Sequence, residues 1–210
     1  MVIGAQASQL APALIAWLDL FGIAVFAASG ALAAAQRGQT LVTFSFFALV
    51  TGVGGGTVRD LLIGAPVFWV HDARFAAACL VTALLVWVTP ARVWSPRALD
   101  WFDALGLAVY AVFGAAKALS FGISPLPAVM MGVITACVGG IIRDVLAGEP
   151  SILLRPEIYV TAAALAAGLF VMLAWLGVPL LIAAISGALA GFALRGLAIA
   201  RGWSIPAYRG

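Results

Sequence analysis

The stretch Gly54-Gly55-Gly56-Thr57-Val58-Arg59-Asp60 returns 84 positions later as Val138-Gly139-Gly140-Ile141-Ile142-Arg143-Asp144. A chain that does this builds one unit twice. Asp19 to Pro66 lies over Asp103 to Pro150 without a gap, with 17 identities in 48 aligned positions. Shared Ala, Gly and Val carry little weight in an apolar chain. Arg-Asp behind paired glycines, followed in each copy by Gly-x-Pro (Gly64 to Pro66, Gly148 to Pro150), carries far more.

Composition says where such a unit lives. Hydrophobic residues make up 65% of the 210 and charged residues 9%, with a mean hydropathy of +1.16. Soluble chains carry roughly a quarter charged residues, so the class is an all-α polytopic membrane protein. A pI near 9.3 does not point to nucleic acid, because the basic residues are dispersed among membrane segments. Cys79 and Cys137 lie in apolar runs and read as small buried hydrophobes. His71 has no plausible metal partners nearby in sequence, and no cofactor motif can be assembled. No cleavable signal peptide is expected, since no basic segment precedes the first apolar run.

About 20 apolar residues cross a bilayer, which predicts seven spans at about 12–35, 40–63, 73–89, 101–120, 126–147, 158–176 and 179–199. They form one domain over 1–210: repeat one at about 12–89, repeat two at about 101–176, and an extra helix at about 179–199. Three spans per copy is an odd number, so the second copy inserts upside down relative to the first. Arg37, Arg92, Arg97, Arg155, Arg195, Arg201 and Arg209 fall on one side and Arg74 on the other. The positive-inside rule then puts the C-terminus in the cytoplasm and the N-terminus outside. Trp69, Trp94, Trp101 and Trp203 fall near span ends, as interfacial anchors do.

Three features bear on chemistry. Gly54, Gly55 and Gly56, and their counterparts Gly139 and Gly140, are predicted to break the second and fifth spans, because each costs about 1 kcal/mol against Ala in a helix interior. Close packing through small residues is the competing reading, and it applies equally to the Gly187/Gly191 pair of span seven. Neither arginine of the two Arg-Asp pairs is expected to bond its neighbouring aspartate, since adjacent helical residues face apart. Topology predicts contacts of Asp19 with Arg59 and of Asp103 with Arg143, leaving Asp60 and Asp144 as further charges of the site. Lys117 is the sole lysine. It stands about 21 Å along span four and breaks the internal symmetry, its counterpart being Ala33. A charge at that depth needs water, an acid, carbonyls or an interface within reach. A gating or voltage-sensing role is the functional reading. Ser29, Thr51, Thr57, Ser120 and Thr135 offer oxygens to a polar path, although hydroxyls also bond within their own helices. No catalytic constellation appears, so no enzyme is expected.

The doubled Gly-Gly-x-x-Arg-Asp motif, its Gly-x-Pro and the three-plus-three-plus-one arrangement resemble the prokaryotic trimeric intracellular cation (TRIC) channel family, over roughly Leu14 to Ile199. The resemblance implies a homotrimer in the inner (cell) membrane of a prokaryote, with a pore in each protomer permeable to potassium and other monovalent cations. It implies kinks around the pore at Gly54 to Gly56 and at Gly139-Gly140, the second weaker because Val138 stands where copy one has Gly54. It ties Lys117 to gating. Membrane lipids surround such a protein, but the phosphoinositide bound by eukaryotic members does not carry over. The alternative is a secondary transporter of a small solute such as glycine, because related chains are linked to glycine uptake and inverted repeats suit alternating access.

Overall fold

The structure, a computed structural model, describes residues 12–206, with side-chain surroundings from Asp19 onward. Arg209, used above for orientation, lies outside the described residues. Within them the chain is all-helical. Its seven longer helices are α1 (Pro12–Gln36), α2 (Leu41–Leu62), α3 (Ala73–Val88), α4 (Ala98–Ser120), α5 (Pro125–Leu146), α6 (Val160–Trp175) and α7 (Leu180–Arg201). An eighth is a single turn, Phe68–His71, and short 3-10 turns lie at Ala91–Val93 and Ile152–Leu154. Five helices are long and apolar enough to cross a membrane: α1, α2, α4, α5 and α7. The other two apolar helices, α3 and α6, have 16 residues each.

The duplication is written into element boundaries. Helix α2 begins at Leu41 and α5 at Pro125, and they end at Leu62 and Leu146, an offset of 84 at both ends. Thr40 and Ser124 sit in extended conformation at the two N-caps. After each helix the backbone reverses through a left-handed glycine, Gly64 at φ 69° and Gly148 at φ 68°, where a side chain would be strained. This turn folds the following loop back over the helix end. The Ala65 and Glu149 N–H groups then bond the Asp60 and Asp144 carbonyls at 2.8 and 2.9 Å.

Packing repeats as well. Helix α1 lies against α2 and α3, and α4 against α5 and α6; across the copies α1 meets α4 and α2 meets α5, while α7 covers α4 and α6. Contacts between copies are reciprocal. Gly22 of copy one abuts the Tyr110 ring of copy two, and Gly106 abuts the ring of Phe26, the residue matched to Tyr110. A methyl group at Gly55 would overlap the Thr135 carbonyl, and one at Gly139 would overlap the carbonyl of its counterpart Thr51.

Those two glycines correct an expectation. Both α2 and α5 run as continuous helix through Gly54, Gly55 and Gly56 and through Gly139 and Gly140. The glycines do not interrupt the backbone; Gly55 and Gly139 let two helix backbones touch, the use small residues have in membrane bundles. Keeping the helices whole also leaves no freed N–H or C=O in lipid. The Gly-x-x-x-Gly pair of α7 serves the same end within the protomer: Gly187 and Gly191 lie against Ala166 of α6. Cys79 and Cys137 are buried free thiols.

Candidate conduction site

Both Arg-Asp pairs lie near the C-terminal ends of α2 and α5, and all four residues are buried. Each arginine bonds its own neighbour, contrary to expectation. Arg59 donates to Asp60 from Nε at 2.8 Å and Nη2 stands 2.8 Å from the same oxygen. Arg143 does likewise to Asp144, from Nε at 2.9 Å and Nη2 at 2.8 Å. Backbone directions of adjacent residues do diverge, but the arginine side chain is long enough to fold back along the helix and present two donors. The far oxygen of each aspartate accepts a loop N–H eight residues on: Phe68 N at 3.2 Å for Asp60, Ile152 N at 3.0 Å for Asp144. Each aspartate therefore ties the arginine to the returning loop.

Beyond this shared core the copies part. Asp103 and Arg143 meet at 2.5 Å. Asp19 and Arg59 form no such contact; Asp19 accepts instead from the hydroxyl of Tyr110 at 2.6 Å, and that hydroxyl also donates to the Asp19 carbonyl at 3.0 Å. Arg59 lies over the rings of Phe113 and Phe68, at 5.4 and 6.0 Å from their centroids. At the matched place, Arg143 donates to Ser29 at 3.1 Å, Ser29 being the counterpart of Phe113. The two copies thus grip one another through the same positions with different chemistry.

Lys117 lies closest to Asp60. Its Nζ is 2.8 Å from Oδ1 and 2.9 Å from Oδ2, with the side chain 21% exposed, and it sits 5.8 Å from the Phe68 ring centroid. Of the partners considered for a charge at that depth, an acid is the one present, and it comes from the other copy. Two cations therefore share one fully buried carboxylate. At the equivalent place in the other half, Ala33 has no side chain to reach Asp144, and a cavity of about 310 Å³ opens there. Ala33, Asp100, Asp103, Arg143 and Asp144 wall it. Its rim includes Arg37, which is ion-paired with Glu149; Arg155 lies 4.0 Å from Glu149, and Arg195 is bonded to Glu157 at 2.6 Å.

The hydroxyls are mostly engaged. Ser29, Thr57, Ser120 and Thr135 donate to carbonyls of their own helices at 2.6 to 2.9 Å, and Thr57 also accepts from Trp69 Nε1 at 2.9 Å. Thr51 Oγ1 is buried without a partner, close to where α2 and α5 touch. Among the described residues no group of three or more His, Cys, Asp or Glu is placed to hold a metal ion. Sequence reasoning missed Tyr110, Phe68, Phe113 and Asp100. Tyr110 had a signal: it is matched by Phe26, so one copy has a hydroxyl and the other lacks it.

The arrangement has known relatives. A family model described as Glycine transporter matches residues 16–91 and 100–175. The UPF0126 inner membrane protein YadS of Escherichia coli (strain K12) is 46% identical over 155 residues, 71% of this chain and 73% of YadS. A UPF0126 membrane protein of Vibrio cholerae is 44% identical over 161 residues, 74% of this chain and 66% of that protein. Among solved structures, a TRIC channel orthologue from Rhodobacter sphaeroides superposes with a TM-score of 0.83 at 42% identity, covering 90% of this chain and 99% of that one. A further TRIC cation channel reaches 0.82 at 30% identity, covering 92% and 96%. With the doubled motif, the matched helices and these likenesses together, the chain belongs to the prokaryotic TRIC channel family of multi-pass membrane proteins, the family of the UPF0126 proteins.

Proposed function

We propose that this chain is a potassium-permeable channel for monovalent cations, with one conduction path in each protomer of a homotrimer. Seven helices span the membrane, the two three-helix copies in opposite senses, with the N-terminus outside and the C-terminus in the cytoplasm. Reciprocal contacts such as Gly55 on Thr135 and Gly139 on Thr51 are those of a pseudo-two-fold axis between the copies, and an odd number of helices per copy favours an axis in the membrane plane. The path runs between α2 and α5, past Thr51 and Thr135.

One observation carries the reading: Lys117 closes on Asp60 at one end, while Ala33, its counterpart, leaves a charged cavity at the other. An ammonium held on a carboxylate in the path of cations is a removable barrier. Its displacement across the field is worth about 2.3 kcal/mol per 100 mV for a full charge. In this reading the close approach of α2 and α5 at Gly55 and Gly139 narrows the same path at its middle. Purified protein in planar bilayers tests this: discrete potassium currents are expected, and Lys117→Ala is expected to raise their open probability.

A second reading has a specific support. The family model is described as Glycine transporter, and the cavity presents Asp100 and several arginines, a pairing that suits a zwitterion. Silent bilayers together with saturable glycine uptake into vesicles would favour it.

A further inference from the structure

We infer that Phe68 is a positioning residue for Lys117: its ring holds the ammonium over Asp60, and the single turn Phe68–His71 must lift before the lysine can leave. This rests on the channel reading and names the element that governs the barrier at that end of the path.

The two copies build the same loop and place different side chains on it. In each, a backbone N–H eight residues after the aspartate donates to it, Phe68 to Asp60 at 3.2 Å and Ile152 to Asp144 at 3.0 Å. Copy one has two cations at this place, and its loop carries an aromatic ring. The ring centroid lies 5.8 Å from Lys117 Nζ and 6.0 Å from the Arg59 guanidinium, within the range at which a ring face attracts a cation. In copy two Ala33 stands in place of the lysine, and the loop carries an isoleucine, which has no such face.

The neighbours of the ring are particular to copy one. A methyl group at Gly56 would come within 2.7 Å of Phe68, so the ring lies directly on α2. Phe75 of α3 packs edge-on against it, with centroids 4.9 Å apart. Trp69, next in the turn, donates from Nε1 to Thr57 at 2.9 Å; the matched residues, Leu153 and Ile141, can form no such bond. The two loops are also tied down differently. Arg195 of α7 bonds Glu157, and the Ile205 N–H bonds the Pro156 carbonyl, so the extra helix and its tail strap the loop of copy two. Among the described residues no hydrogen bond from α7 or the tail reaches the Phe68 turn. That turn has four residues and no side-chain cap, and of the two loops it is the one free to lift.

Lys117 is the sole lysine and its side chain is 21% exposed. Acetylation of the full protein by an amine reagent, read by mass spectrometry of the Lys117 peptide, therefore measures its release. Phe68→Leu keeps apolar bulk and loses the π face; it should speed acetylation several-fold, while Phe68→Tyr should stay near the unaltered rate. A ring-fluorinated phenylalanine at this position keeps the shape and drains the ring face of negative potential. It should act as Phe68→Leu does, and it serves if the leucine variant fails to fold. In bilayers both changes should raise potassium open probability several-fold, and neither should add to Lys117→Ala, whereas a ring acting only through the fold would still alter that variant. Acetylation indifferent to both changes, or an effect on currents undiminished without the lysine, overturns the assignment. Faster acetylation with silent bilayers would leave Phe68 holding the lysine and remove the channel. Unchanged acetylation with potassium currents would do the reverse.

Discussion

Lys117 Nζ stands 2.8 Å from Asp60 Oδ1, and the residue in the matched place of the other copy is Ala33. One half of the molecule therefore carries a tethered cation over its Arg-Asp pair and the other half does not. If the copies are inverted, moving the lysine moves the charge to the opposite end of the field. The double substitution Lys117→Ala with Ala33→Lys is expected to reverse the voltage polarity of gating. Single-channel recording at positive and negative potentials checks this, and unchanged polarity would count against Lys117 as the voltage-sensitive element.

The glycines differ in what they touch, so they should differ in what they tolerate. Gly55→Ala and Gly139→Ala each drive a methyl into a facing backbone carbonyl and should cost about 1–3 kcal/mol. Gly54 meets chiefly the mobile end of Ile142, and its Ala variant should be far milder. Gly168, in α6, has nothing within 4 Å; Gly168→Ala should stabilise by about 0.5–1 kcal/mol through backbone entropy alone. Thermal unfolding in detergent ranks the four.

Double-mutant cycles separate the real ion pair from the one that failed to form. Neutralising Asp103 and Arg143 together should show a coupling of about 0.5–3 kcal/mol, whereas Asp19 with Arg59 should be additive within about 0.5 kcal/mol. Arg143→Met alone should cost about 3–5 kcal/mol, since it strands buried carboxylates.

Tyr110→Phe removes the hydroxyl that serves Asp19 and leaves the ring that packs on Gly22 and Phe26. The expected loss is about 1–3 kcal/mol, the cost of an unsatisfied buried acceptor. Thermal unfolding measures it.

Much of this is legible in the amino-acid sequence. The fixed offset of 84 already matched α2 to α5 and their glycine turns, because helix ends are set by local residues such as Thr40, Gly64 and Gly148. Asp103 meeting Arg143 followed from both lying at the same end of one helical unit. What escaped was contact between the copies. Tyr110 reaches Asp19 across a boundary that no spacing rule describes, and the same holds for Lys117 on Asp60. The continuity of α2 and α5 through their glycines escapes the sequence for a related reason. A glycine's propensity cost is a property of one helix, whereas at Gly55 and Gly139 the facing backbone decides. The Arg-Asp pairs form against expectation because backbone direction does not limit a side chain long enough to turn back.

Helices α3 and α6 are each 16 residues long, about 24 Å at the usual rise, against a hydrocarbon layer of about 30 Å. Both copies therefore present the bilayer with a third helix too short to cross it unaided. Lipid tails beside them must shorten, or flanking residues must stretch toward the headgroups. A hydrocarbon layer thinned beside α3 and α6 is the expected consequence, and lipids of different chain length should press on the protein unequally there.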